Sequence, residues 1–430
     1  MKRWLKLAAG AAAITLATAG CAGSGGSENA SSAGGAQDGK LTVWLMTGSA
    51  PDSLTAALNK EFEAAHPGVK VDYQIQQWNG IQQKLTTALA SDTPPDVIEV
   101  GNTQTPAFAA QGVLADLSGD VNNLNGGQWL AGLKASGQYD GKTVGVPFYA
   151  ANRVVMYRKD MFEQASITQP PTSNDEWLAD IAKLKTKFGS DPQFQPLYMP
   201  GQNWYALSSF IWDNGGDIAK GEGKSFKSSL NTPEAKAGLE FYKKLVDTSG
   251  TTAPKDNDEA TPQQAGIYAA GKVAMFIGTP NEVATAAKTD PGITAKTGAF
   301  PIPSKTPGQG APVFLGGSNL LVPLNSKHQD LAKDYLKLLT STKYMTQLAA
   351  GGYVPGTSTD LSALDKDPLG SVMAKASKNG HAMPTSPKWG EVESGQNPLK
   401  DMLTAYLTGK KTLDQAAADA NTALDKIIGG

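Results

Sequence analysis

YDGKTVGVPFYAANRVVMYRKD, residues 139–160, decides how the rest of the chain is read. A turn at Asp140-Gly141 is followed by apolar residues at alternate positions, Val144 and Val146, then Val155 and Tyr157, the two-residue period of strands. Between the two runs lies Pro147-Phe148-Tyr149-Ala150-Ala151-Asn152-Arg153, where rings and hydrogen-bonding groups replace a plain apolar run or polar loop. Arg153 and Arg158 are the only arginines after residue 20, so the planar donor fork of arginine is confined to this stretch. The pattern predicts a strand crossing through a ligand cleft. An ordinary strand with a surface arginine fits the same letters.

Upstream, strand and helix patterns alternate. LTVWLM (41–46) reads as a buried strand, and Asp52 or Ser53 can cap a helix with Leu54, Leu58, Phe62 and Ala65 on one face. Val69, Val71, Tyr73 and Ile75 form a second strand, Ile81, Leu85, Ala88 and Leu89 a second helix, and DVIEVG (96–101) a third strand. Strands separated by helices of this length predict an α/β fold with a mainly parallel sheet. Ligands of such sheets bind beyond the carboxyl ends of the strands. Those loops are Thr47-Gly48-Ser49, Gln76-Gln77-Trp78-Asn79 and Gly101-Asn102-Thr103-Gln104.

Downstream, Asn174 can cap a helix carrying Trp177, Ile181, Leu184 and Phe188, and Thr232-Pro233 opens another. PGQNWYALSSFIWDNGGD (200–217) is unusually aromatic; APVFLGGSNLLVPL (311–324) reads as two strands interrupted by Gly316-Gly317-Ser318-Asn319. Residues 398–428 predict two closing helices.

At 430 residues with 40% hydrophobic content the chain can build two or three domains. Thirty-eight basic against forty acidic side chains exclude a nucleic-acid partner held by counterion release. There is neither Gly-x-Gly-x-x-Gly nor a Walker A lysine motif, so no nucleotide cofactor is expected. The single cysteine, Cys21, rules out an internal disulfide and cysteine-based metal sites. Residues 1–20 read as a signal peptide, with a basic start followed by an Ala-rich apolar run. The sequence Thr18-Ala19-Gly20-Cys21 resembles a bacterial lipobox, with Thr18 where leucine is usual, which implies lipidation at Cys21. Residues 21–40 then form the lipidated cysteine and a flexible tether lacking large apolar residues. The expected location is extracytoplasmic, lipid-anchored to the cell membrane.

The ordered set KLTVWL, EFEAAHPGVKVDY, PPDVIEVGN, QGVLADLS, YDGKTVGVPFYAANRVVMYRKD, NGGD, GKVAMFIG, FLGGSNLLVP, AKDYLKLLTS and GKKTLDQAAADA resembles the sugar-binding proteins of bacterial ABC importers. The maltose-binding and chito-oligosaccharide-binding lipoproteins look most alike. The resemblance covers residues 40–430 and implies a periplasmic-binding-protein fold, two α/β lobes joined by crossover strands and closing on sugar. It places lobe 1 at 41–148 plus 315–351 and lobe 2 at 149–314 plus 352–430. Trp389 resembles a sugar-stacking tryptophan, and Trp204-Tyr205 falls where relatives place another aromatic. Asn102-Thr103 stands where an aspartate is expected and Asn281 where a tryptophan is, departures from the maltodextrin pattern, while the likeness of YDGKTVGVPFYAANRVVMYRKD leans toward chito-oligosaccharides or a similar disaccharide. The implied partners are a neutral oligosaccharide and the membrane subunits of the importer, with the protein a monomer.

A pyranose presents an apolar C–H face and a hydroxyl edge, so its site needs rings for one and amides, carboxylates or arginine for the other. Trp44, Trp129 and Trp177 read as core. Trp78, Trp204, Trp212 and Trp389 fall in polar loops or at element ends, where either ligand contact or packing explains a ring. Asn152 and Arg153 can grip hydroxyls, or Arg153 can form an interlobe salt bridge. Ser318 and Asn319 follow two glycines, which suits close backbone approach or a simple turn. The candidate ligand set is Trp78, Asn102, Tyr149, Asn152, Arg153, Trp204, Tyr205, Asn281, Asn319 and Trp389.

Catalysis is not expected. His66, His328 and His381 are scattered, and neither a Gly-x-Ser-x-Gly elbow nor His-Glu-x-x-His occurs. A glycoside hydrolase would need only two carboxylates about 5–10 Å apart, but the run Asp256, Asp258, Glu259 reads as a solvated loop. A lipid-tethered sensor or adhesin would use the same cleft without a transporter.

Overall fold

The computed structural model describes residues 39–358 and 361–429. The expected signal peptide, Cys21 and the tether up to residue 38 lie outside the described residues. Among the described residues, no helix is long and apolar enough to cross a membrane.

Eleven strands carry the architecture: β1 Lys40–Met46, β2 Lys70–Gln76, β3 Val97–Gly101, β4 Val146–Ala151, β5 Val154–Arg158, β6 Met275–Gly278, β7 Thr297–Phe300, β8 Val313–Phe314, β9 Gly316–Leu321, β10 Val354–Pro355 and β11 Gly380–His381. The first sheet runs β10-β4-β9-β3-β1-β2. Its β1, β2 and β3 pair in parallel through helices Asp52–Ala65 and Ile81–Leu89, as the alternating pattern predicts. Its other half is antiparallel, β9 pairing with both β3 and β4 and β10 with β4, so the sheet is mixed where a mainly parallel one was expected. The second sheet, β6-β5-β7, is antiparallel, and β8 pairs with β11 in a third.

Alternation dictates which side chains go where. On β1, Leu41, Val43 and Leu45 join one buried cluster with Leu58, Phe62 and Tyr335, while Met46 joins a second with Ile81, Leu85 and Ile98 on the opposite face. Each fully buried aliphatic side chain contributes roughly 1.5–3 kcal/mol, so both faces of the sheet are fixed by one strand's letters. The second lobe has its own, larger core, built around Val155, Met156, Trp177, Phe210, Tyr242, Phe276 and Leu403. Its helix Asn174–Phe188 is capped by Ser173, whose hydroxyl accepts from the Glu176 N–H, one residue earlier than expected.

The chain changes sheets within the opening stretch. Strands β4 and β5 lie two residues apart in sequence but belong to different sheets, so the passage falls at Asn152-Arg153. Tyr149, Ala150 and Ala151, expected beyond the lobe boundary, pair with Ser318, Gly317 and Gly316 inside the first sheet. The return runs from β8 through Leu315 into β9, and a third passage follows β10.

Gly316-Gly317-Ser318-Asn319 is not an interruption between strands but the body of β9. Gly317 has φ +126°, and a Cβ there would sit 2.0 Å from the Tyr149 carbonyl oxygen, so only glycine lets the two crossing strands approach.

Candidate functional site

The loops after β2 and β3 line one side of the seam between the lobes. Trp78 is exposed, with its indole N–H donating to the Thr47 carbonyl at 3.2 Å, and its ring stands beside Gly101. With Gln82, Gln83, Thr86 and Gln104 it lines a cavity of about 470 Å³, within the range that holds small ligands. The Gln104 Oε1 is buried without a protein partner. An exposed ring beside amides is the pairing a sugar requires. Gln82 and Gln104 were not singled out from sequence; the signal was a polar helix face opening three residues after Trp78.

Asn102 looks inward. Its Nδ2 donates to the Leu315 carbonyl at 2.6 Å and its backbone N–H to the Gly317 carbonyl at 3.1 Å, tying this loop to the return crossing. Tyr149, expected on the second lobe, packs against the first-lobe core with its hydroxyl among Ser49, Ser318 and Glu99. Glu99 accepts from the Met46 N–H and the Ser49 hydroxyl, each at 2.7 Å, and burial pushes its carboxyl up to about 7. Asn319 lies wholly inside the first lobe, donating to Ser136 at 3.0 Å and Thr105 at 3.2 Å, so its place in β9 keeps it from the cleft.

At the crossing, Asn152 is buried with both amide atoms lacking a protein partner. The next side chain begins the second wall. The Arg153 guanidinium pairs with Glu259 and lies over the Tyr205 ring, 4.0 Å from its centroid. Both partners sit on the second-lobe side, so the interlobe salt bridge considered for Arg153 is replaced by an ion pair within one lobe. Glu259, expected in a solvated loop, is mostly buried by that pairing, while Asp258 pairs with Lys400 at 2.7 Å.

Tyr205 stacks on Trp204 with centroids 3.9 Å apart and on Phe314 at 5.3 Å and 8°. Trp204 in turn meets Trp389 at 6.1 Å. Trp204 and Trp389 do stand at helix starts, as their polar flanks suggest, but Trp389 is 0% exposed and Trp204 3%. Neither presents the exposed ring expected, because each covers the other and the helix Trp389–Ser394 is packed into the second-lobe core. Trp212 packs on His381 at 5.0 Å. Asn281 is exposed, second in the helix Pro280–Ala286, beside Glu282, which caps that helix through the Thr279 N–H. Burial raises the carboxyls of Glu282 and Glu393 above the usual range.

Across the two walls, the Thr103 hydroxyl donates to Glu393 Oε2 at 2.7 Å. Chemically, the seam offers rings, amides and one paired arginine. No cluster of metal-ligating side chains occurs among the described residues.

The model of a family described as bacterial extracellular solute-binding protein matches residues 47–346. The diacetylchitobiose-binding protein DasA of Streptomyces coelicolor is 44% identical over 418 residues, 97% of this chain and 96% of that protein. In fold, the chain is similar to the sugar-binding protein MalE from Xanthomonas citri, with a TM-score of 0.79, 22% identity, and coverage of 90% of this chain and 97% of that one. A cyclo/maltodextrin-binding protein complexed with maltotetraose gives a TM-score of 0.76 at 22% identity over 92% of this chain and 99% of its own.

Proposed function

Because the chain belongs to the bacterial extracellular solute-binding protein family, we infer that it captures a neutral di- or oligosaccharide by lobe closure and hands it to the membrane subunits of an ABC importer. The family and its structural neighbours bind solutes rather than transform them, which favours a carrier over an enzyme. The favoured ligand is a chito-oligosaccharide, the class named for the 44% identical relative. The observation that carries this reading is the exposed Trp78 ring beside the Gln82, Gln83 and Gln104 amides in a cavity of about 470 Å³.

In this reading Trp78 and Gln104 hold the sugar from the first lobe and Arg153 and Tyr205 from the second, with Asn152 at the crossing and Asn281 on the rim. Lobe 1 comprises 41–151 with 316–355, and lobe 2 the remaining folded segments. Lipidation at Cys21 keeps a monomer at the outer face of the cell membrane.

Titration calorimetry of the purified protein against N,N′-diacetylchitobiose, chitobiose, cellobiose and maltose tests the reading. Saturable binding with diacetylchitobiose tightest is expected. A ligand present at a hundredfold its Kd also raises stability by roughly 2.7 kcal/mol. Silence from every sugar would overturn the reading.

A further inference from the structure

Beside the loop after β3, a side-chain hydrogen bond has each of its ends locked into a different lobe. Thr103 follows Asn102, and Asn102 is bonded through side chain and backbone to the return crossing at Leu315 and Gly317. Thr103 therefore moves with the first sheet. Glu393 lies in the helix Trp389–Ser394, whose Trp389 and Val392 are buried in the second-lobe core. One carboxylate oxygen accepts from the Trp389 indole N–H at 3.3 Å, and the other from the Thr103 hydroxyl at 2.7 Å. The first bond orients the carboxylate from within its own lobe; the second leaves the lobe.

A bond between two bodies that hinge against each other exists in one arrangement only. It adds to the stability of the closed state and nothing to the open one, so it changes the affinity of any ligand that needs closure. We propose that Thr103 and Glu393 form the closing latch of the cleft, a positioning pair that sets how tightly the closed lobes hold a sugar without touching it. This rests on the reading of the seam as a sugar cleft that closes. Thr103 is otherwise an unremarkable polar letter in a loop, and its role comes from where Asn102 anchors it.

The test is Thr103→Val, which keeps shape and removes the donor. Its Kd is expected to rise about tenfold by the same factor for diacetylchitobiose and for longer chito-oligosaccharides, with the unfolding midpoint falling less in the ligand-free protein than in the ligand-bound one. Thr103→Ser should restore the wild-type Kd. A Kd within twofold of wild type would overturn the latch. A different factor for each ligand would make Thr103 a contact residue, and an equal fall in the ligand-free and ligand-bound midpoints would make the bond a simple fold staple; either result also overturns it. If wild type binds none of the sugars, the functional reading falls and small-angle scattering of the ligand-free proteins decides the latch separately: a larger radius of gyration for Thr103→Val supports it, and identical radii overturn it.

Discussion

The Arg153 guanidinium lies over the Tyr205 ring, 4.0 Å from its centroid, and pairs at its edge with Glu259. Tyr205 in turn stacks at 8° on Phe314, the residue just before the return crossing at Leu315. The two chain passages between the lobes are thus linked through one ring. A lysine could keep the charge but neither the stack nor the fork. Arg153→Lys is expected to weaken sugar binding about tenfold while costing roughly 1 kcal/mol of stability; calorimetry giving a wild-type Kd would count against the arginine's place in the site.

Trp389 behaves differently from a ring held ready for sugar. It is 0% exposed and packed against Trp204, so its truncation empties a core position. Trp389→Ala should destabilise the fold by roughly 3–5 kcal/mol, measured as a lower denaturant midpoint. A midpoint equal to wild type would show that the ring is not core.

Trp78 offers the contrast. At 37% exposed, its removal leaves little cavity, so Trp78→Ala should change stability by less than about 1 kcal/mol while raising the Kd for sugar about tenfold. Unchanged affinity would move the first-lobe contact elsewhere along the Gln82 and Gln104 face.

Glu99 should make stability depend on pH. Burial raises its folded carboxyl from the ordinary value near 4.5 to about 7, so the folded state holds this proton more tightly than the unfolded chain does. The stabilisation is complete below about pH 4.5 and is lost as pH rises through about 7, amounting to at most ~3 kcal/mol. Glu99→Gln, which cannot ionise beside Ser49 and Tyr149, is expected to flatten that part of the profile. Parallel wild-type and variant curves from urea unfolding between pH 4.5 and 8 would refute it.

Much of the fold was legible because it is local. The alternation of Leu41, Val43 and Leu45 and the spacing of Leu54, Leu58 and Phe62 fix a strand and a helix whatever they later touch. The pair of strands β4 and β5 was legible because only two polar residues separate their apolar runs. Gly316-Gly317-Ser318-Asn319 misled for the opposite reason: glycines that commonly mark a turn here let two strands touch, and the demand came from Tyr149, far away in sequence. Asn281 and Asn319 show the same limit. An asparagine's letter says that it bonds, while burial inside β9 or exposure on a helix start decides with what.

By itself, the sequence determined the order of the first strands and helices and the stock of rings and amides suited to a sugar. Only the tertiary structure decided which of those groups meet. Trp389 became core, Trp78 stayed open, Asn102 turned inward, and Thr103 reached Glu393 across 290 residues of chain. Periodicity records forces between neighbours a few residues apart. Burial and partner choice depend on segments brought together by packing, and no local pattern encodes those distances.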